Sequence, residues 1–283
     1  MNSETALITG ASSGIGLALA REFAKNGHSL ILTAPKEEEL RAIASNLSAD
    51  FDIKVGVIPA DLEDPESPKR IHDAVLRDGE RIDIVVNNAG LGYRGNFWDI
   101  TLHDQLSIVR VNIEAVMRLT HLFLPEMISR NRGRVANTAS IAGFEPGPLL
   151  AVYHASKAFV LSFTEALATE LEKTEITVTA ICPGPTDTDF FPKAGMVDTN
   201  AFQKAHVMAP QDVAAIGYRG IMRGDRTVVA GGSNKALVFA RRFLTEGGQA
   251  RLNKKFYEKA KPQSRKRQRG DIERKAEEKQ LSE

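Results

Sequence analysis

A glycine-rich turn near the start of the chain limits the possible folds more than any other stretch. The apolar segment Thr5–Thr9 predicts a short buried strand, and helical periodicity begins at Ile15. The turn between them reads Gly10-Ala-Ser-Ser-Gly14-Ile-Gly16. Glycines let a backbone turn tightly and approach a pyrophosphate, and a helix N-terminus offers free N–H groups and a positive dipole end. This order predicts the first half of a nucleotide-binding βαβ unit.

Strand and helix patterns alternate through the rest of the chain. Further strands are predicted at residues 29–33, 54–59, 82–86, 134–138, 177–182 and 226–230. A long helix is expected over 103–130 and an irregular segment over 189–209. Six strand–helix alternations predict an α/β fold: a single Rossmann-type, doubly wound parallel sheet of about seven strands with helices on both faces. Ligands of such sheets bind beyond the carboxyl ends of the strands.

Three polar segments follow predicted strands. Asp61-Leu62 comes after the third strand, where the carboxylate could bond an adenine amino group or cap the next helix. Asn87-Asn88-Ala89-Gly90 follows the fourth strand and suits a turn beside a cofactor. The second strand ends in Thr33-Ala34-Pro35-Lys36 without the carboxylate that favours NAD. Lys36 could face a 2′-phosphate or lie solvated at a helix start; NADP is the preferred expectation and NAD remains possible.

Tyr153 and Lys157 lie four residues apart in a predicted amphipathic helix, 151–173. That spacing puts both side chains on one face, about 6 Å apart along the axis. A nearby cation favours the phenolate and lowers the pKa of a tyrosine, so such a pair could exchange a proton with an alcohol oxygen. Asn112 lies between apolar residues in the long helix, where it either braces the helix or has a role in a cleft.

Composition and cysteine usage exclude several classes of protein. The 283 residues are 42% hydrophobic and 26% charged, as in ordinary globular proteins. The single Cys182 excludes an internal disulfide framework and is expected as a small core residue. No segment reaches the roughly 18 uninterrupted apolar residues of a transmembrane helix, and no basic-then-apolar leader opens the chain. A cytoplasmic protein is expected.

Together these motifs resemble the short-chain dehydrogenase/reductase family in its ordinary form, and more faintly a mostly uncharacterised bacterial subgroup. The resemblance spans about residues 5–231 and rests on the glycine turn, Asp61-Leu62, the Asn-Asn-Ala-Gly turn, Asn112, Ser140, Tyr153-x-x-x-Lys157 and Pro183-Gly184. It implies hydride transfer between a nicotinamide and a carbonyl or alcohol carbon. Tyr153 would be the general acid/base, and Lys157 would lower its pKa and bond the nicotinamide ribose. Ser140 would hold the substrate oxygen, and Asn112 a water of the proton relay.

The resemblance also implies a cofactor-binding set and no metal. The expected set is Gly10, Ser12, Ser13, Gly14, Ile15, Gly16, Lys36, Asp61, Leu62, Asn88, Ala89, Gly90, Tyr153, Lys157, Pro183, Gly184, Thr186 and Thr188. Members that prefer NADP often carry a basic residue before the second glycine or after the second strand, where this chain has Ser13 and Pro35. A homodimer or homotetramer joined through the two long helices is implied.

Beyond a catalytic domain at 1–232, the chain is expected to carry a helical extension at 233–260 and a charged, flexible tail at 261–283. Residues 251–283 hold 12 Lys/Arg and 6 Asp/Glu, whereas the other 250 residues hold 25 and 30. A basic tail on a mildly acidic body does not predict a nucleic-acid-binding domain. The apolar and basic segment 235–244 could lie on a membrane surface, join a dimer or cover the cleft; docking onto the protein itself is preferred.

Two other functions compete with oxidoreduction. A nucleotide-binding scaffold or sensor would use the fold without turnover, yet Tyr153 and Lys157 are both present. Epimerase or dehydratase chemistry on nucleotide sugars usually needs a larger C-terminal substrate domain. The loop 189–209 carries scattered apolar residues that suit either a lid over an apolar substrate or packing onto the body. Fold and catalytic groups do not name the substrate.

Overall fold

The structure of the protein, a computed structural model, describes residues 4–282, with side chains to residue 278. Residues 1–3 and 283, which fall in the first and last expected segments, lie outside the described residues. Within 4–282, seven parallel strands form one sheet in the order β3-β2-β1-β4-β5-β6-β7. The expected doubly wound α/β fold is confirmed.

The strands and helices follow the predicted order. The strands are β1 Thr5–Thr9, β2 Ser29–Thr33, β3 Val55–Val57, β4 Ile84–Asn87, β5 Gly133–Thr138, β6 Ile176–Cys182 and β7 Thr227–Val229. The helices are α1 Gly14–Lys25, α2 Glu37–Phe51, α3 Ser67–Arg77, α4 Leu102–Val109, α5 Ala115–Ser129, α6 Ala151–Glu170, α7 Phe190–Lys193, α8 Asn200–Gln203, α9 Pro210–Arg223, α10 Gly232–Arg241, α11 Glu246–Tyr257 and α12 Asp271–Ser282.

Apolar side chains on both faces of the sheet bury it between two helical layers. On one face the strands pack against α1, α2 and α9, with Leu19 and Phe23 of α1 fully buried. On the other face they pack against α3, α5 and α6, around Leu119 and Phe123 of α5. Strands buried on both faces are uniformly apolar, which explains why their positions could be predicted from apolar runs.

The strand order places a crevice at the centre of the sheet. After β1 the chain builds outward through β2 and β3, then returns to add β4 on the other side of β1. The connections that leave β1 and β4 therefore diverge at their carboxyl ends, which is where open α/β sheets bind ligands. Both the glycine turn and the Asn-Asn-Ala-Gly turn lie at this point.

Two expectations about long segments need correction. The helix expected over 103–130 is two helices, α4 and α5, joined by a π-helical turn at Arg110–Glu114. Such single π turns interrupt helices most often at functional sites. The irregular segment 189–209 contains the one-turn helices α7 and α8. Phe191 and Phe202 are buried in a satellite core there, so these two residues pack onto the body.

The C-terminal region contacts the body at several points. Arg241 and Asn253, on α10 and α11, approach the loop before α6, and α12 begins against Asp187. The Asp187 carboxylate accepts hydrogen bonds from Gly270 N and Ile272 N, at 2.9 Å each. The domain boundaries and the flexibility of 261–283 in solution stay predictions. Across residues 4–282, no helix combines the length and apolar character needed to cross a bilayer.

Candidate active site

The turn after β1 requires glycine at three positions for different reasons. Gly10 and Gly14 have φ of +65° and +57°, in the left-handed region that side chains rarely adopt. Gly16 has no such φ, but a Cβ there would lie 2.1 Å from the carbonyl oxygen of Gly10. The first turn of α1 can therefore press against the turn backbone only because residue 16 has no side chain.

The N-terminus of α1 is open to a ligand. Its N-cap, Ser13, is extended, makes no capping hydrogen bond through its side chain, and no acidic residue lies in the first turn. The first N–H groups of a helix have no partner within the helix, and the dipole adds positive potential. This geometry fits the pyrophosphate of a dinucleotide.

Thr9 fixes the Asn-Asn-Ala-Gly turn to the end of β1. Its hydroxyl oxygen accepts hydrogen bonds from Asn88 N at 2.9 Å and Ala89 N at 3.0 Å. The Asn88 side chain in turn donates to the carbonyl of Thr9 at 3.0 Å. Sequence reasoning missed Thr9 as a site residue, although its position between a strand and a glycine turn was visible.

Helix α6 brings Tyr153 and Lys157 to the same crevice. The Lys157 ammonium donates to the carbonyl oxygen of Thr138 at 2.7 Å and lies 5.8 Å from the centroid of the Tyr153 ring. Ser140, just beyond β5, accepts a hydrogen bond from Ala142 N and donates to the carbonyl of Pro183. Ser140, Tyr153 and Lys157 thus meet at one edge of the sheet.

Burial controls the pKa values of this group. Burial raises the pKa of Tyr153 to about 12, and a hydrogen bond with Ser140 opposes the rise. Burial lowers the pKa of the Lys157 ammonium to about 8. The family resemblance implied that Lys157 would lower the pKa of Tyr153. In this structure burial dominates and the phenol is protonated at neutral pH.

Asn112 lies in the π-helical turn and braces the chain beside the crevice. Its side-chain oxygen accepts from Leu91 N at 2.8 Å, and its nitrogen donates to the carbonyl of Leu91 at 3.0 Å. The same nitrogen donates to the Ser156 hydroxyl at 2.9 Å. The side chain is buried outside the cavity lining, and its expected role in a proton relay stays a prediction.

One cavity of about 770 Å³ collects the expected residues. Its lining includes Gly10, Ser12, Ser13, Gly14, Ile15, Gly16, Asp61, Leu62, Asn88, Ala89, Gly90, Ser140, Tyr153, Lys157, Pro183, Gly184, Thr186 and Thr188. Lys36 does not line it: its side chain is 74% exposed and pairs with Glu39 at 2.6 Å. Asp61 accepts a hydrogen bond from Glu63 N, whereas Glu66 is the N-cap of α3. The capping alternative for Asp61 is therefore wrong.

A second wall of the cavity comes from later parts of the chain and combines apolar side chains with the polar Lys193, His206 and Asn234. Leu150, Phe190 and Met196 line it from the loops around α6 and α7. The C-terminal helices add Leu237 and Phe256. The rings of Tyr153 and Phe190 are 5.1 Å apart, so an apolar surface begins directly beside the phenol.

Two buried polar pairs tie the C-terminal helices to the segment that carries Tyr153. Arg241 forms an ion pair with Glu145, whose carboxylate is 3% exposed. His154 Nε2 lies 2.9 Å from the Tyr257 hydroxyl, and its Nδ1 lies 2.9 Å from the carbonyl oxygen of Glu145. Burial lowers the pKa of His154 to about 4, so this ring is neutral at physiological pH. Sequence reasoning missed all four residues; a polar His154 at a buried helical position was the one available signal.

Comparisons with known proteins agree with this geometry. Residues 4–200 match the family model described as short chain dehydrogenase. Sulfoacetaldehyde reductase 2 of Chromohalobacter salexigens is 38% identical over 190 residues, which are 66% of this chain and 75% of that protein. A short-chain dehydrogenase from Sphingobium yanoikuyae, solved with NADPH, is 32% identical, with a TM-score of 0.76, 84% of this chain covered and 94% of that one.

A second solved structure carries the other cofactor. A short-chain dehydrogenase/reductase from Burkholderia phymatum, solved with NAD, is 26% identical, with a TM-score of 0.77, and the match covers 85% of this chain and 93% of that one. The described glycine turn, open helix N-terminus and strand-end crevice suit a nicotinamide dinucleotide of either kind. The chain belongs to the short-chain dehydrogenase family and is an NAD(P)-dependent oxidoreductase that acts on alcohol or carbonyl groups.

Proposed function

We propose that this enzyme reduces an apolar carbonyl compound to an alcohol, with Tyr153 as the general acid. One observation carries the proposal: Tyr153, Ser140 and Lys157 line the same cavity as the glycine turn. The cofactor half and the catalytic half are thus continuous, and a substrate beside Tyr153 would lie next to the bound dinucleotide. Geometry of this kind is the first requirement for proton transfer in the active site.

Each residue has a distinct part in the proposed reaction. When bound, the nicotinamide cofactor supplies the hydride. Ser140 turns its hydroxyl proton from the carbonyl of Pro183 to the substrate oxygen and orients that oxygen. Tyr153 gives its phenolic proton to that oxygen as negative charge develops there, which completes the alcohol. Lys157 stabilises the phenolate left behind and holds the nicotinamide ribose, while residues 10–16 hold the pyrophosphate.

The protonated Tyr153 is the form that reduction requires. A phenol with a pKa of about 12 is protonated at neutral pH and ready to act as an acid. Oxidation of an alcohol would first require that proton to leave a buried group. The Lys157 ammonium, 5.8 Å from the centroid of the ring, is a charge that would assist that step.

NADP is the proposed cofactor. Thr33, Ala34 and Pro35 line the cavity where the second strand ends, and none of them carries a carboxylate that would repel a 2′-phosphate. Lys36 contributes at most through a change of rotamer, because it points to Glu39. Ala34→Asp should weaken NADP binding about tenfold or more and strengthen NAD binding, measured by titration of intrinsic fluorescence. Equal NADP affinities of the wild type and Ala34→Asp would contradict the proposed preference for NADP.

The proposed substrate class follows from the second wall. Apolar side chains line the cavity on this wall: Leu150, Phe190, Met196 and Phe256. Arg241, which also lines it, is already paired with Glu145. A bulky ketone or aldehyde suits the apolar part of this lining, and Lys193 and His206, which also line the cavity, would tolerate a polar or anionic group on it. The substrate panel should contain aryl and alicyclic ketones alongside sulfoacetaldehyde, the substrate class in the name of one relative.

The decisive test is Tyr153→Phe, assayed with NADPH and NADH against the panel. The change removes only the phenolic hydroxyl, and kcat/KM should fall about 1000-fold while cofactor binding persists. Tyr93→Phe is the matched control, because Tyr93 lines the same cavity and has no part in the proposed proton transfer. Undiminished turnover by Tyr153→Phe would show that Tyr153 is not the general acid. Cofactor binding without turnover of any compound would instead support a nucleotide-binding scaffold.

We also propose that copies of the chain associate. Leu102, Leu106 and Val109 on α4 and Met117 on α5 are exposed apolar side chains on neighbouring turns. Burying them between two copies would gain free energy from the hydrophobic effect. Light scattering coupled to size exclusion should give a mass of at least two chains. Leu106→Glu should reduce that mass to one chain if this face is the contact.

A further inference from the structure

Helix α10 leaves apolar side chains exposed to solvent. Its inward side carries Asn234 and Arg241, both hydrogen-bonded within the protein. Leu237, one turn from both of these residues, is 38% exposed and also lines the cavity, and the outward Phe239 is 60% exposed. A surface helix of a globular protein normally turns its apolar stripe inward. The exposed surface of Leu237 and Phe239 is therefore left for another partner.

The apolar surface continues past the end of α10 onto α11. Phe243 is 77% exposed and its ring is 5.6 Å from that of Phe239, while Leu244 and Leu252 are also exposed. Gln249 joins the two helices by donating to the carbonyls of Arg241 and Leu244. We call the side chains of Leu237, Phe239, Phe243, Leu244 and Leu252 the hairpin face.

Cations surround the hairpin face. Residues 232–257 contain six Lys/Arg and one Asp/Glu. Five of those cations are exposed: Lys235, Arg242, Arg251, Lys254 and Lys255. In the part of the chain that the structure describes, none of these five forms an ion pair, whereas Arg241 is buried against Glu145. A partner that is both apolar and anionic would complement this face.

We propose that the hairpin face docks the enzyme on the surface of an anionic lipid bilayer. Exposed aromatic and aliphatic side chains bounded by lysine and arginine are the combination that binds such surfaces. A second copy of the chain is a poorer occupant. In a twofold contact the five cations of one copy would face the same five cations of the other, and they would repel each other. Leu237 belongs both to the hairpin face and to the cavity lining. Docking therefore sets the cavity beside the bilayer. A lipophilic substrate would then enter the cavity from the bilayer, and this part of the inference rests on the proposed function.

Vesicle binding tests the proposal without using catalysis. Purified full-length protein is sedimented with phosphatidylcholine vesicles that contain or lack phosphatidylserine, at low and physiological salt. We expect binding to the phosphatidylserine vesicles, weakened by salt, and a reduction of about tenfold or more in Lys254→Glu/Lys255→Glu. Phe239→Ser/Phe243→Ser should bind no better than background, with an unchanged Tm because both side chains are exposed.

The control separates this face from exposed aromatic surface in general. Trp98 is 80% exposed but is followed in sequence by the acidic residues Asp99 and Asp104, so Trp98→Ser should bind vesicles as the wild type does. Equal binding with and without phosphatidylserine would overturn the proposal, as would undiminished binding of Phe239→Ser/Phe243→Ser. Another contrary outcome is a wild type that forms a dimer and binds no vesicles, while Phe239→Ser/Phe243→Ser is a monomer. That result would overturn the proposal and assign the hairpin face to a second copy of the chain.

Discussion

The two walls of the cavity hold their side chains in different ways. The cofactor wall, made by residues 10–16, 88–90 and 183–188, sits on strand ends and depends on close backbone approach and short hydrogen bonds. The C-terminal wall, made by Leu237, Arg241, Phe256 and Tyr257, sits on helices outside the sheet. It depends on two buried polar pairs formed with the segment around Glu145 and His154.

This difference separates cofactor binding from substrate selection. Strand ends are fixed by the whole sheet, so the cofactor wall cannot change without disturbing the core. The C-terminal wall can change its apolar side chains while its polar pairs hold the helices in place. Disrupting the first wall should therefore abolish cofactor binding, and disrupting the second should loosen the position of α6 and its Tyr153.

The largest expected effect is on the C-terminal wall. Arg241→Ala leaves the Glu145 carboxylate buried without its cation, which should lower the free energy of unfolding by about 3–5 kcal/mol. Arg242→Ala, one residue on, removes an exposed guanidinium and should change stability by less than about 0.5 kcal/mol. Urea denaturation of both variants gives the comparison. Equal stability of the two would show that the ion pair does not hold this wall.

The second prediction uses pH on the same wall. Burial lowers the pKa of His154 from 6.5 to about 4, so between these values the unfolded chain binds more protons than the folded one. Stability from this group is complete above pH 6.5 and lost as pH falls toward 4, by about 3 kcal/mol. His154→Gln should flatten the fall, measured by urea denaturation at several pH values. His28→Gln, the same change at the other buried histidine, should keep most of this loss of stability at low pH. Parallel curves of stability against pH for wild type and His154→Gln would show that His154 does not cause the loss.

The cofactor wall is tested by Gly16→Ala. The new methyl group would meet the Gly10 carbonyl at 2.1 Å, so α1 must shift away from the turn and cofactor binding should weaken about 100-fold. Gly56→Ala in β3 is the control, because a Cβ there meets only atoms at 3.7 Å and beyond. Fluorescence titration with NADPH measures both variants. Wild-type affinity in Gly16→Ala would show that the turn tolerates a side chain.

The sequence predicted the cofactor wall well because its information is local. The spacing of Gly10, Gly14 and Gly16 and the one-turn separation of Tyr153 from Lys157 are set by backbone geometry within a few residues. The positions of the strands could also be predicted, since each buried strand is a continuous apolar run. Local propensity did not reveal the π-helical turn at Arg110–Glu114, because the apolar pattern continues through it.

The C-terminal wall could not be predicted because its contacts are remote in sequence. His154 and Tyr257 are 103 residues apart, and no periodicity links them. Lys36 shows the converse error: its position after β2 was correct, but α2 turns its side chain toward Glu39 and solvent. Asn112 was identified by its polarity within an apolar helix, yet its bonds to Leu91 and Ser156 are those of a brace.

The smallest expected effect isolates how the C-terminal wall acts on catalysis. Two tyrosine–histidine pairs have nearly the same geometry: Tyr257 with His154 at 2.9 Å, and Tyr218 with His28 at 3.0 Å. Removing either hydroxyl should cost about 1 kcal/mol of stability, because one partly buried hydrogen bond is lost. Only Tyr257→Phe should also lower kcat, by a few-fold, since His154 adjoins Tyr153 in α6, while Tyr218→Phe should keep wild-type kinetics. Equal kinetics in the two variants would mean that Tyr257 stabilises the fold without positioning the catalytic tyrosine.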